Sequence, residues 1–257
     1  MDKKEFPILE FDNVSEPIVN AKKYVPDFIN EKSDKCLITY FSDVVDSLER
    51  VFRVNQAFKI RTEGVRPRVF YMKINGQIIY VVPMPVGAPQ AARMMEVMAA
   101  IGVKKFIICG GAGSLNEEMT SGKILVPTAA VRDEGTSYHY LPPSREVEIN
   151  PVVLKTIEGV LTSEKEPFVR VKTWTTDGIF RETKNRVAIR KEEGCHTVEM
   201  ECATFYSVAW HKNLLCGQLL YAGDLVDIGG WQYRDWHTAS EAREKLFDLS
   251  VKCLMKM

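Results

Sequence analysis

The 257-residue chain has no surplus of charge of either sign, because 34 basic side chains balance 34 acidic ones. A general electrostatic attraction for polyanions therefore has no support, and no local run of basic residues points to nucleic acid. We expect no nucleic-acid partner. If the ligand is an anion, a few specifically positioned side chains or backbone N–H groups must bind it.

Long apolar runs and paired cysteines are also missing. The longest apolar stretch, IIYVVPMPVGA, is much shorter than the roughly 20 residues that cross a bilayer, and the first residues are charged, unlike a signal peptide. The six cysteines form no CxxC pair and have no zinc-ligand spacing with the four histidines. We expect a cytoplasmic protein with reduced, buried cysteines, no membrane contact and no bound metal.

No internal repeat or low-complexity linker divides the chain. Residues 1–34 are polar and interrupted by prolines, which predicts an N-terminal arm, whereas residues 35–257 alternate β-rich runs with helical patterns. The helical patterns are clearest at 89–101, 199–211 and 240–256. Thr238 and Glu241 have the spacing of a capping box for the last of these. We predict one α/β domain with three layers, α/β/α, around a mixed and mostly parallel β-sheet.

Small residues and polar side chains follow one predicted strand after another: PVGAP, GGAGS, TTDG and AGD. In α/β sheets, ligands bind outside the carboxyl ends of the strands. One such loop is weak evidence, but several in one chain predict a single composite pocket.

The run Gly110, Gly111, Ala112 and Gly113 does not open a helix, so it does not fit the GxGxxG dinucleotide fingerprint. We interpret it as a tight turn whose backbone N–H groups face an oxyanion or a sugar. A plain turn without a ligand is the alternative.

The segment VEMECAT places Glu199, Met200 and Glu201 at the predicted start of a helix. Residues two apart lie about 200° apart around a helix, so one glutamate should face the pocket and the other should support the structure. A carboxylate that accepts from two vicinal hydroxyls is a good partner for ribose. The alternative is that both are solvated glutamates of a first helical turn.

Asp224 follows an apolar strand in LLYAGDLVD, where partial burial raises the pKa of a carboxyl and favours proton donation. A turn or cap aspartate is the alternative, and Asp227 is a nearby competitor. His139 lies between Tyr138 and Tyr140, and it is either a ligand-facing residue or a packed, hydrogen-bonded one.

Together these segments resemble the nucleoside phosphorylase superfamily, in particular its uridine and purine nucleoside phosphorylases. The resemblance runs from Cys36 to the C-terminus and is carried, in order, by VGAPQAA, FIICGGAGSL, GKILVPTAAVRDEGTSYHY, TWTTDGIFRET, VEMECAT and YAGDL. It implies that Met200 and Glu201 bind ribose, and that Glu199 has the supporting position. His139 matches a histidine in the corresponding loop of uridine phosphorylases, which implies contact with the sugar.

For the base, the resemblance implies contacts from Ile179, Phe180 and Gly111, with Asp224 as the acid that protonates the leaving base in purine-acting members. The positions at which uridine-specific members read uracil hold Thr183 and Asn185. We therefore expect a purine nucleoside rather than uridine.

The phosphate site departs from the family pattern. The Gly-Asp-Pro loop and its arginine are replaced by TYFSDVVDSL, and a second phosphate-binding arginine is replaced by Ile108. Charged donors contribute strongly to anion binding, so other groups must hold phosphate. The candidates are Thr39, Ser42, Gly110, and Arg66 or Arg68 from a neighbouring subunit.

We therefore expect a nucleoside phosphorylase with phosphate as co-substrate and no other cofactor. The resemblance implies a homo-oligomer, based on dimers and up to a hexamer, with active sites shared between subunits. A nucleosidase is the first alternative, with Asp43 helping to activate water. A non-catalytic nucleoside-binding protein on the same fold is the second alternative, because fold alone does not fix function.

Overall fold

The computed structural model describes residues 3–14, 17–64, 66–119, 122–234 and 239–257. In this part of the chain there are six α-helices: α1 Ser42–Arg50, α2 Ala88–Ala100, α3 Pro151–Ser163, α4 Lys184–Glu192, α5 Cys202–Lys212 and α6 Ser240–Lys256. Four 3₁₀ helices accompany them: η1 Pro7–Leu9, η2 Ala21–Tyr24, η3 Thr136–His139 and η4 Ile179–Arg181.

The described residues also form eleven β-strands. They are β1 Lys35–Thr39, β2 Asn55–Lys59, β3 Arg68–Ile74, β4 Gln77–Pro83, β5 Lys105–Ser114, β6 Ile124–Asp133, β7 Glu146–Glu148, β8 Phe168–Thr176, β9 Cys195–Glu199, β10 Leu215–Asp227 and β11 Gly230–Gln232. The predicted alternation of strands and helices is confirmed. No helix within the described ranges is both long and apolar enough to cross a membrane.

The sheet is mixed, as predicted, and its two longest pairings, β5–β10 and β6–β8, are parallel. Among the described pairings, the parallel ones are β1–β4, β1–β5, β5–β10, β6–β8 and β8–β9. The remaining pairings, β2–β3, β3–β4, β5–β9, β6–β7, β6–β10 and β10–β11, are antiparallel. The antiparallel pairings arise because several strand connections contain no helix and reverse the chain directly.

Five of the strands close a ring instead of forming a plain open sheet. β5 pairs with β10, β10 with β6, β6 with β8, β8 with β9, and β9 returns to β5. A sheet whose first and last strands pair with each other in this way is a β-barrel. β1, β4, β3 and β2 extend from this barrel as a side sheet, in which β1 pairs with the first half of β5. β7 and β11 instead pair with β6 and β10 of the barrel.

The helices pack in two groups around the strands. α2 and α5 pack against each other, whereas α1 and α3 pack on α6, which lies against β1 and β5. The helical predictions at 89–101 and 240–256 are confirmed by α2 and α6 within one residue. Ala239 occupies the N-cap position of α6, and Thr238, the predicted cap, lies outside the described residues.

The predicted helix at 199–211 begins later than expected. Glu199 is the last residue of β9, Met200 lies in the bend, and Glu201 is the N-cap of α5. The premise that both glutamates lie on one helix is therefore wrong. Their separation has another cause, which is the sharp change of direction between β9 and α5.

Candidate active site

An opening in the edge of β5 lies at the centre of the candidate site. β1 pairs with β5 as far as Cys109, and β9 pairs with the same edge again only from Gly113. Residues 110–112 have no partner on this edge among the described pairings, which leaves an opening about 10 Å long at ordinary strand rise. β1 and β9 diverge here, and ligands in α/β sheets bind at such points.

The glycine run is part of β5, so the predicted tight turn at Gly110 is wrong. Its glycines make room for neighbouring side chains. A Cβ on Gly110 would lie 2.9 Å from the ring of Tyr40, and one on Gly111 would lie 3.1 Å from that of Tyr221. Gly111 is nevertheless exposed, so the strand presents bare backbone to the opening.

Glu201 lies beside this opening, directly after β9, and it is 4% exposed. Its carboxylate accepts a hydrogen bond from the Gly87 backbone N–H at the start of α2. Burial and repulsion from Glu199 raise the pKa of Glu201, while the Gly87 N–H opposes that shift. A carboxylate held this way, with few protein partners, has lone pairs left for hydroxyl groups.

Glu199 has the supporting position expected of it. Its carboxylate accepts from the backbone N–H groups of Glu201 at 2.7 Å and Cys202 at 2.6 Å, and from the Thr175 hydroxyl at 2.6 Å. These bonds satisfy free N–H groups at the start of α5. Glu199 thereby fixes the bend that presents Glu201.

Tyr40 is a residue that the sequence analysis missed. It follows β1, packs its ring over Gly110, and has a fully buried hydroxyl without a well-formed hydrogen bond among the described residues. Burial raises the pKa of Tyr40, and the nearby charge of Glu201 raises it further. An aromatic residue directly after the first strand, opposite a glycine in the next, was the available signal.

Asp224 lies at the other end of the opening. A register shift in β10 between Ala222 and Leu225 turns it towards β5, where its Oδ1 lies 3.3 Å from the Cβ position of Gly113. Its Oδ2 accepts a 2.5 Å hydrogen bond from the Trp231 indole. The competitor Asp227 is instead paired with Lys191 at 2.6 Å, which lowers the pKa of Asp227.

These positions place the two carboxylates at the two ends of one opening along β5. Comparison with known proteins then identifies the family. A model of the phosphorylase superfamily matches residues 42–253. The chain belongs to the phosphorylase superfamily.

The relatives of this chain include a guanosine phosphorylase and a uridine phosphorylase. A guanosine phosphorylase from Halorubrum lacusprofundi is 28% identical over 142 residues, covering 55% of this chain and 59% of that protein. A uridine phosphorylase from Thermococcus kodakarensis is 28% identical over 150 residues, covering 53% of this chain and 54% of that protein. The chain thus matches little more than half the length of these curated relatives.

Solved structures share the fold of this chain over most of its length. Uridine phosphorylase from Vibrio fischeri has a TM-score of 0.72 at 19% identity, with 89% of this chain and 94% of that one covered. AMP nucleosidase from Bacteroides thetaiotaomicron has a TM-score of 0.69 at 22% identity, with 86% and 87% covered. At these identities the likeness establishes the fold alone.

Two of the predicted base-contacting residues, Ile179 and Phe180, lie on η4 and are exposed. Ile179 is 52% exposed and Phe180 is 95% exposed. Met200 is half-buried next to Glu201. An aromatic side chain this exposed suits contact with a ligand or a partner better than a place in the core.

His139 lies on the surface of the described part of the chain. It is exposed on η3 and makes no hydrogen bond or ion pair with the described residues. The adjacent Tyr140 packs on His211 in the last turn of α5, with ring centroids 5.6 Å apart, whereas Glu201 precedes the first turn. η3 is also tied to the first turn of α5, because Glu134 accepts from the Ser137 N–H at 2.9 Å and from the Thr204 hydroxyl at 3.0 Å. The sugar contact of His139 stays a prediction.

Two of the predicted phosphate or water ligands have other partners. The buried Thr39 hydroxyl accepts from the Phe41 N–H at 3.1 Å and interacts with Cys109 Sγ at 3.2 Å. Asp43 is paired with Arg243 at 3.0 Å. Asp43 cannot activate water without giving up this ion pair, and the Thr39 side chain is fully buried.

Three other predicted phosphate ligands, Ser42, Arg66 and Arg68, line a cleft of about 1110 Å³ next to the opening. Its polar lining includes Lys23, Ser42, Arg61, Glu63, Arg66, Arg68 and Arg93. Arg68 is neutralised by Asp46 at 3.1 Å and Glu49 at 2.8 Å, whereas Arg66 has no ion pair with any described residue. The cleft also includes Pro85, two residues before the Gly87 that contacts Glu201.

Proposed function

We propose that this protein cleaves the N-glycosidic bond of a nucleoside, with phosphate as the nucleophile and a purine as the preferred base. The observation that carries the proposal is the opening in β5, with the buried Glu201 at one end and Asp224 at the other. The names of the guanosine and uridine phosphorylases among the relatives support nucleosides as substrates.

In this proposal, Glu201 binds the sugar of the nucleoside. Its carboxylate accepts hydrogen bonds from the vicinal hydroxyls of ribose, and Met200 packs on the sugar. As the bond from C1′ to the base breaks, positive charge develops on the ribosyl ring. A carboxylate fixed by Gly87 and oriented by Glu199 is already in place to stabilise that charge.

In this proposal, Asp224 and η4 contact the base of the nucleoside. Asp224 faces the heterocycle across Gly113 and provides a proton or a hydrogen bond as negative charge builds on the leaving base. Phe180 covers one face of the base, which explains why an aromatic side chain is 95% exposed in the free chain. An acid at position 224 favours purines, since their ring nitrogens accept a proton.

Phosphate enters from the basic cleft in this proposal. Ser42 and Arg66 line the cleft beside the opening, and Arg66 is not neutralised by a described acid. The protein is a homo-oligomer in this proposal, and a neighbouring subunit contributes the cation. The open backbone at Gly111 lets the anion approach the sugar without a side chain in the way.

The deciding experiment is a panel of nucleosides incubated with and without phosphate. We expect inosine or guanosine to release base faster than uridine, and only when phosphate or arsenate is present. Chromatography would show ribose 1-phosphate with phosphate, and free ribose with arsenate. Nucleoside binding without turnover under any nucleophile would refute catalysis and establish the binding-protein alternative.

Hydrolysis is a second candidate because of Tyr40. Its ring covers Gly110, and the Thr39 hydroxyl is engaged in the β1 turn, so this side of the opening is short of anion donors. Base release at the full rate in phosphate-free buffer, with free ribose as product, would establish a nucleosidase and refute phosphorolysis.

A further inference from the structure

Trp231 is an aromatic residue at the base end of the opening that the proposed function does not use. It lies on β11, the short edge strand that pairs with the end of β10, and it is 64% exposed. Tryptophan is mostly buried in folded proteins, so packing alone does not explain this side chain. Its indole N–H has a specific partner, because it donates to Asp224 Oδ2 at 2.5 Å.

The register of β10 and β11 explains how the indole reaches Asp224. Trp231 lies directly opposite Val226, and Asp224 is two residues before Val226 on the same strand. Both side chains face Gly113, since a Cβ there would lie 3.2 Å from a Val226 methyl group and 3.3 Å from Asp224 Oδ1. Diagonal neighbours on one face of paired strands are within reach of a long aromatic side chain. The bond from Trp231 to Asp224 is such a diagonal contact.

Two further contacts hold β11 in position. The rings of Trp231 and Tyr233 pack edge to face, with their centroids 5.4 Å apart. The Arg234 guanidinium donates to the backbone oxygen of Met119 at 2.9 Å, which ties the residues after β11 to the segment that follows β5. The indole N–H is therefore in place before a substrate binds, as a group that supports a reacting side chain should be.

The indole distinguishes the two oxygens of the Asp224 carboxyl group. An indole N–H can only donate a hydrogen bond, so Oδ2 must accept. The proton that Asp224 gives to the leaving base must then be on Oδ1. Oδ1 is the oxygen that faces Gly113 and the opening.

We propose that Trp231 is a positioning residue, which orients Asp224 so that the proton on Oδ1 faces the base. This inference rests on the proposed function. As the bond from C1′ to the base nitrogen breaks, its electron pair passes to the heterocycle, and a ring nitrogen takes the proton from Oδ1. The carboxylate that forms already has a donor at Oδ2, and such preorganised donors stabilise developing charge.

The remaining atoms balance through solvent. Phosphate or water forms the new bond to C1′, and the proton that this nucleophile loses passes to solvent. Asp224 takes up a proton from solvent before the next turnover. Trp231 keeps its own proton throughout, so it acts only through Asp224.

The first test compares Trp231→Phe with the wild type on inosine and guanosine. Phenylalanine keeps an aromatic ring on β11 but lacks the N–H, so kcat should fall about tenfold, the scale of one hydrogen bond, with little change in KM. Trp210→Phe is the matched control and should leave kcat unchanged. Trp210 is 45% exposed in the last turn of α5, and its indole donates to the backbone oxygen of Glu148 at 2.8 Å.

A double-mutant cycle separates positioning from a general structural effect. Asp224→Ala removes the carboxyl group that Trp231 orients, so adding Trp231→Phe to it should lower kcat no further. A further loss in the Asp224→Ala background as large as the loss in the wild type would overturn the positioning role. So would a Trp231→Phe variant with the wild-type kcat.

The indole N–H signals of ¹⁵N-labelled protein give a readout that needs no turnover. The chain has four tryptophans, and the signal that is lost in Trp231→Phe should shift in Asp224→Ala and stay in place in Trp210→Phe. An unshifted signal in Asp224→Ala would overturn the contact itself. A wild-type protein that shows this coupling but releases base from no nucleoside would instead overturn the proposed function.

Discussion

Glu199 and Glu201 show how two identical side chains, two positions apart, acquire different tasks. The Glu199 carboxylate accepts hydrogen bonds from two backbone N–H groups and from the Thr175 hydroxyl. Glu201 has the Gly87 N–H and remains next to an open strand edge. The difference arises from the bend at Met200, because each carboxylate then points into a different environment.

We predict at this scale that Glu201→Gln lowers kcat/KM for nucleosides by at least about tenfold. The amide keeps the shape but loses the charge that supports the ribosyl transition state. The free energy of unfolding should not fall, because burial already disfavours the ionised carboxylate. Steady-state kinetics and thermal unfolding check both parts, and equal kcat/KM values would contradict the sugar-binding role.

Among secondary-structure elements, the long strands β5 and β10 matter most for the site. β5 pairs along one edge with β10 and along the other first with β1 and then with β9. The change of partner creates the opening, and the register shift in β10 turns Asp224 towards it. A single strand thus forms part of the side sheet, the barrel and the candidate site.

Close packing of α3 on β10 leads to a stability prediction. A Cβ on Gly217 would lie 2.6 Å from Ile157 and 2.7 Å from Val153, so Gly217→Ala should destabilise the fold by about 1–3 kcal/mol. Gly159 lies within α3 and has nothing near its Cβ position, so Gly159→Ala should stabilise by about 0.5–1 kcal/mol. Urea unfolding of both variants measures the contrast, and equal effects would refute tight packing at Gly217.

At the scale of the whole molecule, the arginines of the cleft bear on the proposal that subunits share active sites. Arg61 and Arg93 contact backbone carbonyl oxygens there, and Arg66 lacks an acidic partner within the described ranges. The overall net charge is nonetheless zero. Positive charge is therefore concentrated at this surface rather than spread over the protein.

Subunit mixing tests whether active sites are shared. If Arg66 serves a neighbouring site, Arg66→Ala and Glu201→Gln should each be nearly inactive alone. A dimer of one copy each contains one intact site, so refolding the two together should restore about a quarter of the wild-type activity. Mixing Arg66→Ala with unaltered but heat-inactivated protein is the control. No recovery from two inactive variants would show that Arg66 acts within its own subunit or not at all.

The sequence by itself determined the family resemblance, most element positions and the strand-end placement of Glu201 and Asp224, because these depend on local residue patterns. It predicted a turn at Gly110, which was wrong, and it did not predict that five strands close into a barrel. It also gave no role to Tyr40 or Trp231. Those features depend on strands that are distant in the chain pairing with each other, and such pairing leaves no local periodic signal. Only the tertiary structure decided which edge of β5 stays open and which carboxyl meets which donor.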